Sequence, residues 1–479
     1  MKKFIFGIVI FTTICFNFIS CQKQLEPEFF SQLTSNNFPK TEQDANLILT
    51  GFYSNFSHDW NKLYNAIGNT SWRYVNSKVT DEVRDNWTAN NSFNWGSSAY
   101  GALFGYLPTV ARTTEFIETV KNSTLPDPVK KSAIAETKCI RAWLMFYLYD
   151  HYGPINVRLD PAKLADTTYT ARPTKQEYIG WMVTDLNDAI PDLMDKTNGT
   201  SSWGKVNKGL ARMLLMKIYM NDKQWDKAKV VGQSLLTMGY TLLPSYKEVF
   251  QNEGNNEVVW ACPSGVNVAC YHITCWTPGN VKTLLGVDVN PGWGGQFMPW
   301  SFYDKYPVGD KRLETIAAEY IDVNGVLRKR KTSNEGALWQ GAIALKYVIP
   351  YEKNKVGNYS TVAFRYADVV LSMAEIENEL NGPTADAVAY AKQVTDRANT
   401  TIPVSANLSK ESFRLFLSDE RGRELYWEGW RRQDMIRMGT WFTWGKSMGY
   451  SPTEKHLLFP IQPSIINESR GRITQNPGY

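Results

Sequence analysis

The chain has 479 residues, 43% hydrophobic and 13% aromatic, with charged residues at 21% and a formal net charge of +5. That is enough apolar material for a large core. The net charge makes a weak field for such a length, and the one dense basic run, Arg328-Lys329-Arg330-Lys331, lies beside a turn. Both argue against a nucleic-acid partner.

Lys2 and Lys3 precede an apolar run from Phe4 to Ile19, followed by Ser20 and Cys21. The run is shorter than the ~20 residues of a membrane-spanning helix. A basic start, a short apolar core and a small residue before the cut describe a secretory signal over residues 1–20. Cys21 stands where a bacterial lipoprotein signal creates the lipidated N-terminus, although Phe18 sits where such signals usually carry Leu. The alternatives are a retained anchor helix or a simple cleaved signal. Residues 21–40, polar and proline-containing, read as a tether, and residues 41–479 as a single domain.

Thr41 opens a helical stretch running towards Trp60, and the chain then turns polar and aromatic, without a stable period, to Tyr100. Helical patterns cover roughly Leu103 to Asn122 and Pro128 to His151. The second carries the apolar stripe Ala135, Cys139, Ala142, Trp143, Phe146 and Tyr149 and closes at Gly153-Pro154. Thr174 opens another helix, to about Lys196. Leu210, Leu214 and Ile218, then Trp225, Ala228, Val231 and Leu235, mark two helices joined by the short Asn221-Asp222-Lys223, an antiparallel hairpin.

From 240 to 345 the pattern gives way to Gly-, Pro- and aromatic-rich loops around one β-hairpin at Asn324-Gly325, a pair suited to a type I′ turn. Phe364 to Leu380 is helical, stopped by Gly382-Pro383, and Thr384 caps a helix to about Asn399. A last helix runs from Lys410 to about Met438. The fold class is mainly α: tetratricopeptide-like helical hairpins with irregular insertions at about 61–100 and 240–345 and a small β-hairpin.

Cys139 reads as a buried small hydrophobe. Cys262, Cys270 and Cys275, with His272 alone nearby, lack zinc-site spacing, so no metal is expected; a disulfide among them and reduced thiols are equally open. There is no phosphate loop, HExxH, GxSxG elbow or GxGxxG after a strand. A glycosidase needs two carboxylates across a cleft, whereas Asp81 and Glu82 are adjacent in sequence. The expectation is a non-enzyme without cofactors.

Four segments, in order, resemble the SusD/RagB family of outer-membrane nutrient-binding lipoproteins. RAWLMFYLYDHYGPINV (141–157) is similar to the family's first core helix and its Tyr-Gly-Pro turn. FRYADVVLSMAEIENELNG (364–382) resembles its Arg-Tyr-Ala-Asp helix. ERGRELYWEGWRRQDMIRMG (420–439) looks like its Glu-Arg-x-Arg-Glu-Leu signature, and FPIQPSIINESRGRITQNPGY (459–479) its closing Asn-Pro-Gly-Tyr. Physically, the 420–439 segment is a charged helix on which Glu428 can reach Arg431 and Arg432, so its charges read as structural pairs.

The resemblance implies a lipid-anchored protein of the outer membrane, facing outwards. It would capture an oligosaccharide and deliver it to a SusC-like TonB-dependent transporter; the rival is RagB-type capture of peptides or glycopeptides. In the family, ligand contacts come from irregular insertions on one face of the scaffold. Here these supply Trp72, Asp81, Arg84, Trp87, Asn90 and Trp95, and in the second insertion Trp293, Trp300 and Tyr303. The mixture suits a sugar, whose C–H faces lie on aromatic rings while its hydroxyls pair with planar amides, carboxylates and guanidinium groups. Trp143 and Trp225, on apolar helical stripes, read as core.

Overall fold

The structure, a computed structural model, describes residues 38–57, 62–67, 71–86, 93–97, 99–263, 275–330, 338–347 and 360–479. The leader, Cys21, Trp87, Asn90 and Cys270 lie outside the described residues. No described helix is long and apolar enough to cross a membrane.

Helix α1 (Glu42–Tyr53) begins where expected, because Thr41 and Asp44 form a reciprocal capping box. It ends in a 3-10 turn at Phe56. A short helix that the aperiodic 61–100 stretch concealed, α2 (Trp72–Lys78), is capped by Ser71, and every one of its residues is buried. Helices α3 (Leu107–Asn122) and α4 (Asp127–Tyr152) follow. Next comes α5 (Lys175–Ala189), opened by a Thr174–Glu177 capping box. It stops short of Lys196, in a 3-10 turn containing Pro191.

The two expected hairpins are present: α6 (Lys208–Asn221) with α7 (Trp225–Leu236), and α8 (Tyr366–Asn381) with α9 (Ala385–Ala398). They pack on one another through α7 and α8. Gly232 makes this crossing close, since a Cβ there would run into the Met373 Sδ. The fold is therefore the mainly helical, tetratricopeptide-like scaffold.

The final helix is not continuous. It divides into α10 (Lys410–Leu425), α11 (Arg431–Arg437) and α12 (Trp441–Ser447). Trp427 and Gly429 break it by adopting φ values of 61° and 89°. The break drops Trp427 and Trp430 into the core, and Gly429 lies against the Trp72 ring and the Arg73 backbone, where a side chain has no room.

This overturns the expected Glu428 pairs with Arg431 and Arg432. Glu428 instead meets Lys346 at 2.6 Å and Arg365 at 2.9 Å, while Arg431 goes to Asp81 at 2.7 Å and Arg432 to Asp150 at 3.2 Å. Around them lies a buried lattice: Arg365 also reaches Glu257 and Glu424, Arg312 reaches Asp310, Glu420 and Glu424, and Arg397 reaches Glu257 and Glu424. Charges this deep persist only when paired and hydrogen-bonded. Burial opposes ionisation of Glu424, but Arg397 and Arg365 outweigh it and hold its pKa low.

The loop-rich part is more ordered than its sequence suggests. β1 (Arg84–Asp85), β5 (Gln296–Pro299), β9 (Gly341–Ala344) and β6 (Ile316–Ala317) form one antiparallel sheet in the order β1-β5-β9-β6. A second has the order β4 (Val287–Asp288), β3 (Val281–Leu284), β7 (Glu319–Asp322), β8 (Leu327–Lys329). β2 (Val258–Cys262) pairs with β10 (Thr361–Arg365), which feeds directly into α8.

The β7–β8 hairpin is where expected, but its turn is not type I′. Gly325 has φ 76° and Asn324 is not in the positive-φ region. Gly325 N–H instead bonds the Asp322 carbonyl, and the Asp322 carboxylate accepts the Asn324 and Val326 N–H groups, each at 2.9 Å. An Asx-type interaction at Asp322 has replaced the two-residue turn.

Candidate ligand-binding site

The β1-β5-β9 edge and the loop after Trp276 enclose a cavity of about 260 Å³. Trp293 and Trp339 lie on its lining with 55% and 42% of their surfaces exposed, among the most exposed large apolar side chains described. Trp276, 1% exposed, forms its floor and meets the ring of Trp427 edge-on at 5.2 Å. Amides supply the polar lining: Asn86, Asn280, Gln296 and Gln340.

Each lining group has a local reason for its place. Asn86 extends β1, its N–H bonded to the Gly295 carbonyl at 2.8 Å. Gly294 and Gly295 allow that approach with φ of 62° and 104°, values that favour glycine. The Asn280 Oδ1 accepts from the Tyr320 hydroxyl at 2.9 Å, fixing the amide plane. Buried Gln296 donates its Nε2 to the Ala66 carbonyl at 2.8 Å, while its Oε1 has no hydrogen-bond partner among the described residues. Trp339 and Gln340 lead into β9, whose Gly341 faces Pro299 of β5.

The residues singled out in the sequence divide sharply. Trp293 lies in the cavity. Trp300 and Tyr303 stand beside it: Trp300 donates its indole N–H to the Leu338 carbonyl at 2.9 Å, and its ring is covered by Arg330 at 4.3 Å and met edge-on by Tyr303 at 5.3 Å. Trp300 thus steadies the backbone next to Trp339 and offers little free face.

Trp72 and Trp95 are core residues. Trp72 is 0% exposed, stacked on Tyr147 at 4.1 Å and bonded to Asp150 at 2.9 Å. Trp95 packs among Phe93, Tyr100, Trp441 and Phe459. Asp81 is clamped by Arg431 at 2.7 Å and Lys305 at 3.0 Å. Arg84 donates to the Thr80 and Val83 carbonyls and lies over the Trp444 ring. None of these four lines the cavity.

Two neighbouring carboxyls behave oppositely. Burial opposes the charged form of Asp81, but Arg431 and Lys305 prevail and keep its pKa well below the ordinary range. Glu82, equally deep, is pushed up to about 8 by burial.

Sequence reasoning missed Trp276, Trp339 and the amides. A Trp-Gln-Gly run in a loop was the available signal at 339–341, and Gln296 lay inside the 240–345 insertion, between Trp293 and Trp300.

A helical-hairpin scaffold carrying an aromatic and amide-lined cavity on its loop face defines a ligand-binding protein class. Residues 297–479 match the SusD family. SusD-like protein P25 of Formosa agariphila is 22% identical over 96% of this chain and 97% of its own length. Starch-binding protein SusD of Bacteroides thetaiotaomicron is 22% identical over 84% of each. The solved structure of surface glycan-binding protein A from Bacteroides thetaiotaomicron, in complex with laminarihexaose, superposes with a TM-score of 0.73 at 17% identity, covering 91% of this chain and 100% of that one. These likenesses support the SusD/RagB family.

Proposed function

We propose that the chain captures an oligosaccharide at the Trp293–Trp339 cavity and passes it to a SusC-like TonB-dependent outer-membrane transporter. The observation that carries this reading is the pair of exposed indole rings beside four side-chain amides. Rings receive the C–H faces of a pyranose, and amides donate to and accept from its hydroxyls. The starch-binding and laminarihexaose-bound relatives support a glycan over other ligand classes. The names of those relatives describe binding, and the role proposed here is likewise binding without catalysis. We further propose that Cys21 carries the lipid, residues 21–40 act as tether, and residues 41–479 form one body on the outer face of the outer membrane.

At about 1 kcal/mol per ring, two or three rings supply only about 2–3 kcal/mol, less than the ~4 kcal/mol of a ~1 mM complex, so the amide hydrogen bonds must supply the rest and the expected affinity lies between ~1 mM and ~10 μM, far from nanomolar. Weak binding suits a protein that must release its cargo. The test is isothermal titration of residues 22–479 against starch, laminarin and other oligosaccharides beside a peptide panel, with Trp293→Ala and Trp339→Ala in parallel. Loss of a glycan signal in both variants supports the site. Glycan binding indifferent to both removes it, and a response to peptides alone transfers the assignment to RagB-type capture.

A further inference from the structure

Every described residue lining the Trp293–Trp339 cavity comes from an uncharged stretch of chain. Residues 86–111, 258–281, 289–303 and 336–345 contain no Asp, Glu, Lys or Arg, in a chain that is 21% charged. The wall is accordingly made of aromatic rings, side-chain amides, glycines, one proline and Ile343.

The charges that bound these stretches are engaged elsewhere. Asp85 is buried and accepts from the Tyr74 hydroxyl at 2.6 Å. Asp304 pairs with Arg330 and Lys346 with Glu428, each at 2.6 Å, and Asp288 accepts from the Thr283 hydroxyl at 2.6 Å. Lys282 is exposed on β3 and does not line the cavity, and Glu335 lies outside the described residues. The amides, by contrast, are open. Asn86 and Asn280 are exposed and Gln340 is half-buried. The Tyr320 hydroxyl occupies the Asn280 Oδ1, which leaves its Nδ2 as a donor. The side-chain amides of Asn86 and Gln340 bond nothing among the described residues.

We infer that this cavity selects a neutral glycan and discriminates against uronate-containing and sulfated ones. The inference rests on the glycan reading proposed above. Each open amide can pair with a sugar hydroxyl, as donor or as acceptor. A carboxylate or sulfate brought against the same wall gives up water and meets no cation among the described lining residues. Charged groups recover that cost only through a counter-charge. Neutral binding is also insensitive to salt, because screening acts on charges.

The experiment is native affinity electrophoresis of residues 21–479 carrying Cys21→Ser. The gels hold neutral polysaccharides (starch, laminarin, xylan, mannan, galactan) or anionic ones (polygalacturonate, alginate, carrageenan). At least one neutral polysaccharide should retard the chain, and every anionic one at least tenfold more weakly. The neutral retardation should change less than twofold between about 0.05 and 0.5 M NaCl. Asn86→Lys, which brings a cation to the wall, should add retardation by polygalacturonate that disappears at the higher salt. The same charge at exposed Val230 of α7 should not. An anionic polysaccharide that retards the parent as strongly as any neutral one overturns the inference and leaves the glycan reading standing. So does an Asn86→Lys chain, folded by its thermal midpoint, that gains no more than Val230→Lys. Retardation by no polysaccharide overturns the glycan reading itself, and this inference with it.

Discussion

Asp81→Asn separates a clamp from a ligand contact. The Asp81 carboxylate takes the Arg431 Nε and Nη2 at 2.7 and 2.8 Å and the Lys305 ammonium at 3.0 Å. Arg431 is buried, so neutralising its partner strands a guanidinium. Breaking a buried pair from one side costs about 3–5 kcal/mol. Asparagine keeps one oxygen acceptor, which places the expected loss at the lower end, ~3 kcal/mol, or roughly a hundredfold in the folding equilibrium. The sign with pH follows from the depressed folded-state pKa. The stabilisation is present above the ordinary carboxyl value of 3.8 and disappears as pH falls through the lower folded value. Urea unfolding at neutral pH should therefore show a lower midpoint for Asp81→Asn, and the gap to the parent should begin to narrow below about pH 4 and close only as pH falls through the lower folded value. A variant as stable as the parent that nevertheless loses glycan binding would refute the reasoning and return Asp81 to the ligand.

Trp300→Phe removes the indole bond to Leu338 and should lower stability by about 0.5–1.5 kcal/mol, seen in the urea midpoint, and weaken glycan binding a few-fold by loosening the backbone next to Trp339. Gly341→Ala would drive a Cβ into the Met298 carbonyl across the β5–β9 pair. It should cost about 1–3 kcal/mol of stability and reduce glycan affinity although residue 341 lines no part of the cavity, both readable by thermal melts and calorimetry. Glu82 has a folded pKa of about 8 against an ordinary 4.5, so its contribution is full below about 4.5 and is lost as pH rises towards 8. Glu82→Gln should flatten a stability slope of up to about 1.4 kcal/mol per pH unit across that window, measured by urea midpoints. An unchanged slope would show that Glu82 does not titrate there.

The helices were legible where a cap or a stop coincided with the 3.6-residue period. Thr41, Thr174 and Thr384 each accept the N–H three residues on, and Gly153 and Gly382 end their helices with positive φ. The break inside 410–438 was not legible, because a single glycine such as Gly429 is tolerated inside a helical pattern and the reason to stop is tertiary. Trp427 and Trp430 gain more from entering the core than the segment loses in helix hydrogen bonds. The strands around the cavity were hidden for a related reason. β1 and β6 are two residues long, too short for an alternation to register. At the site, local sequence could mark Trp293 but not distinguish it from Trp72 or Trp95, since a tryptophan in an aperiodic stretch carries no sign of which way it faces.

The charged signature and the proposed binding face are separate structures joined by a few side chains. Arg365, Glu424, Glu428 and Arg312 are consumed by one another and by Glu257, Glu420 and Lys346, leaving them nothing with which to recognise a ligand. Their helices present Trp427, and Trp427 in turn supports Trp276 under the cavity. Gln296 ties the same floor to the Ala66 carbonyl. The exposed rings sit at the end of this chain of contacts, and Trp339 is also tied to the lattice along β9, which leads through Leu345 to Lys346. Replacing Trp293 or Trp339 therefore alters what the face can hold without disturbing a buried charge, whereas altering the lattice threatens the fold before it reaches the ligand. A motif that resembles the family's so closely is, for that physical reason, silent about the ligand.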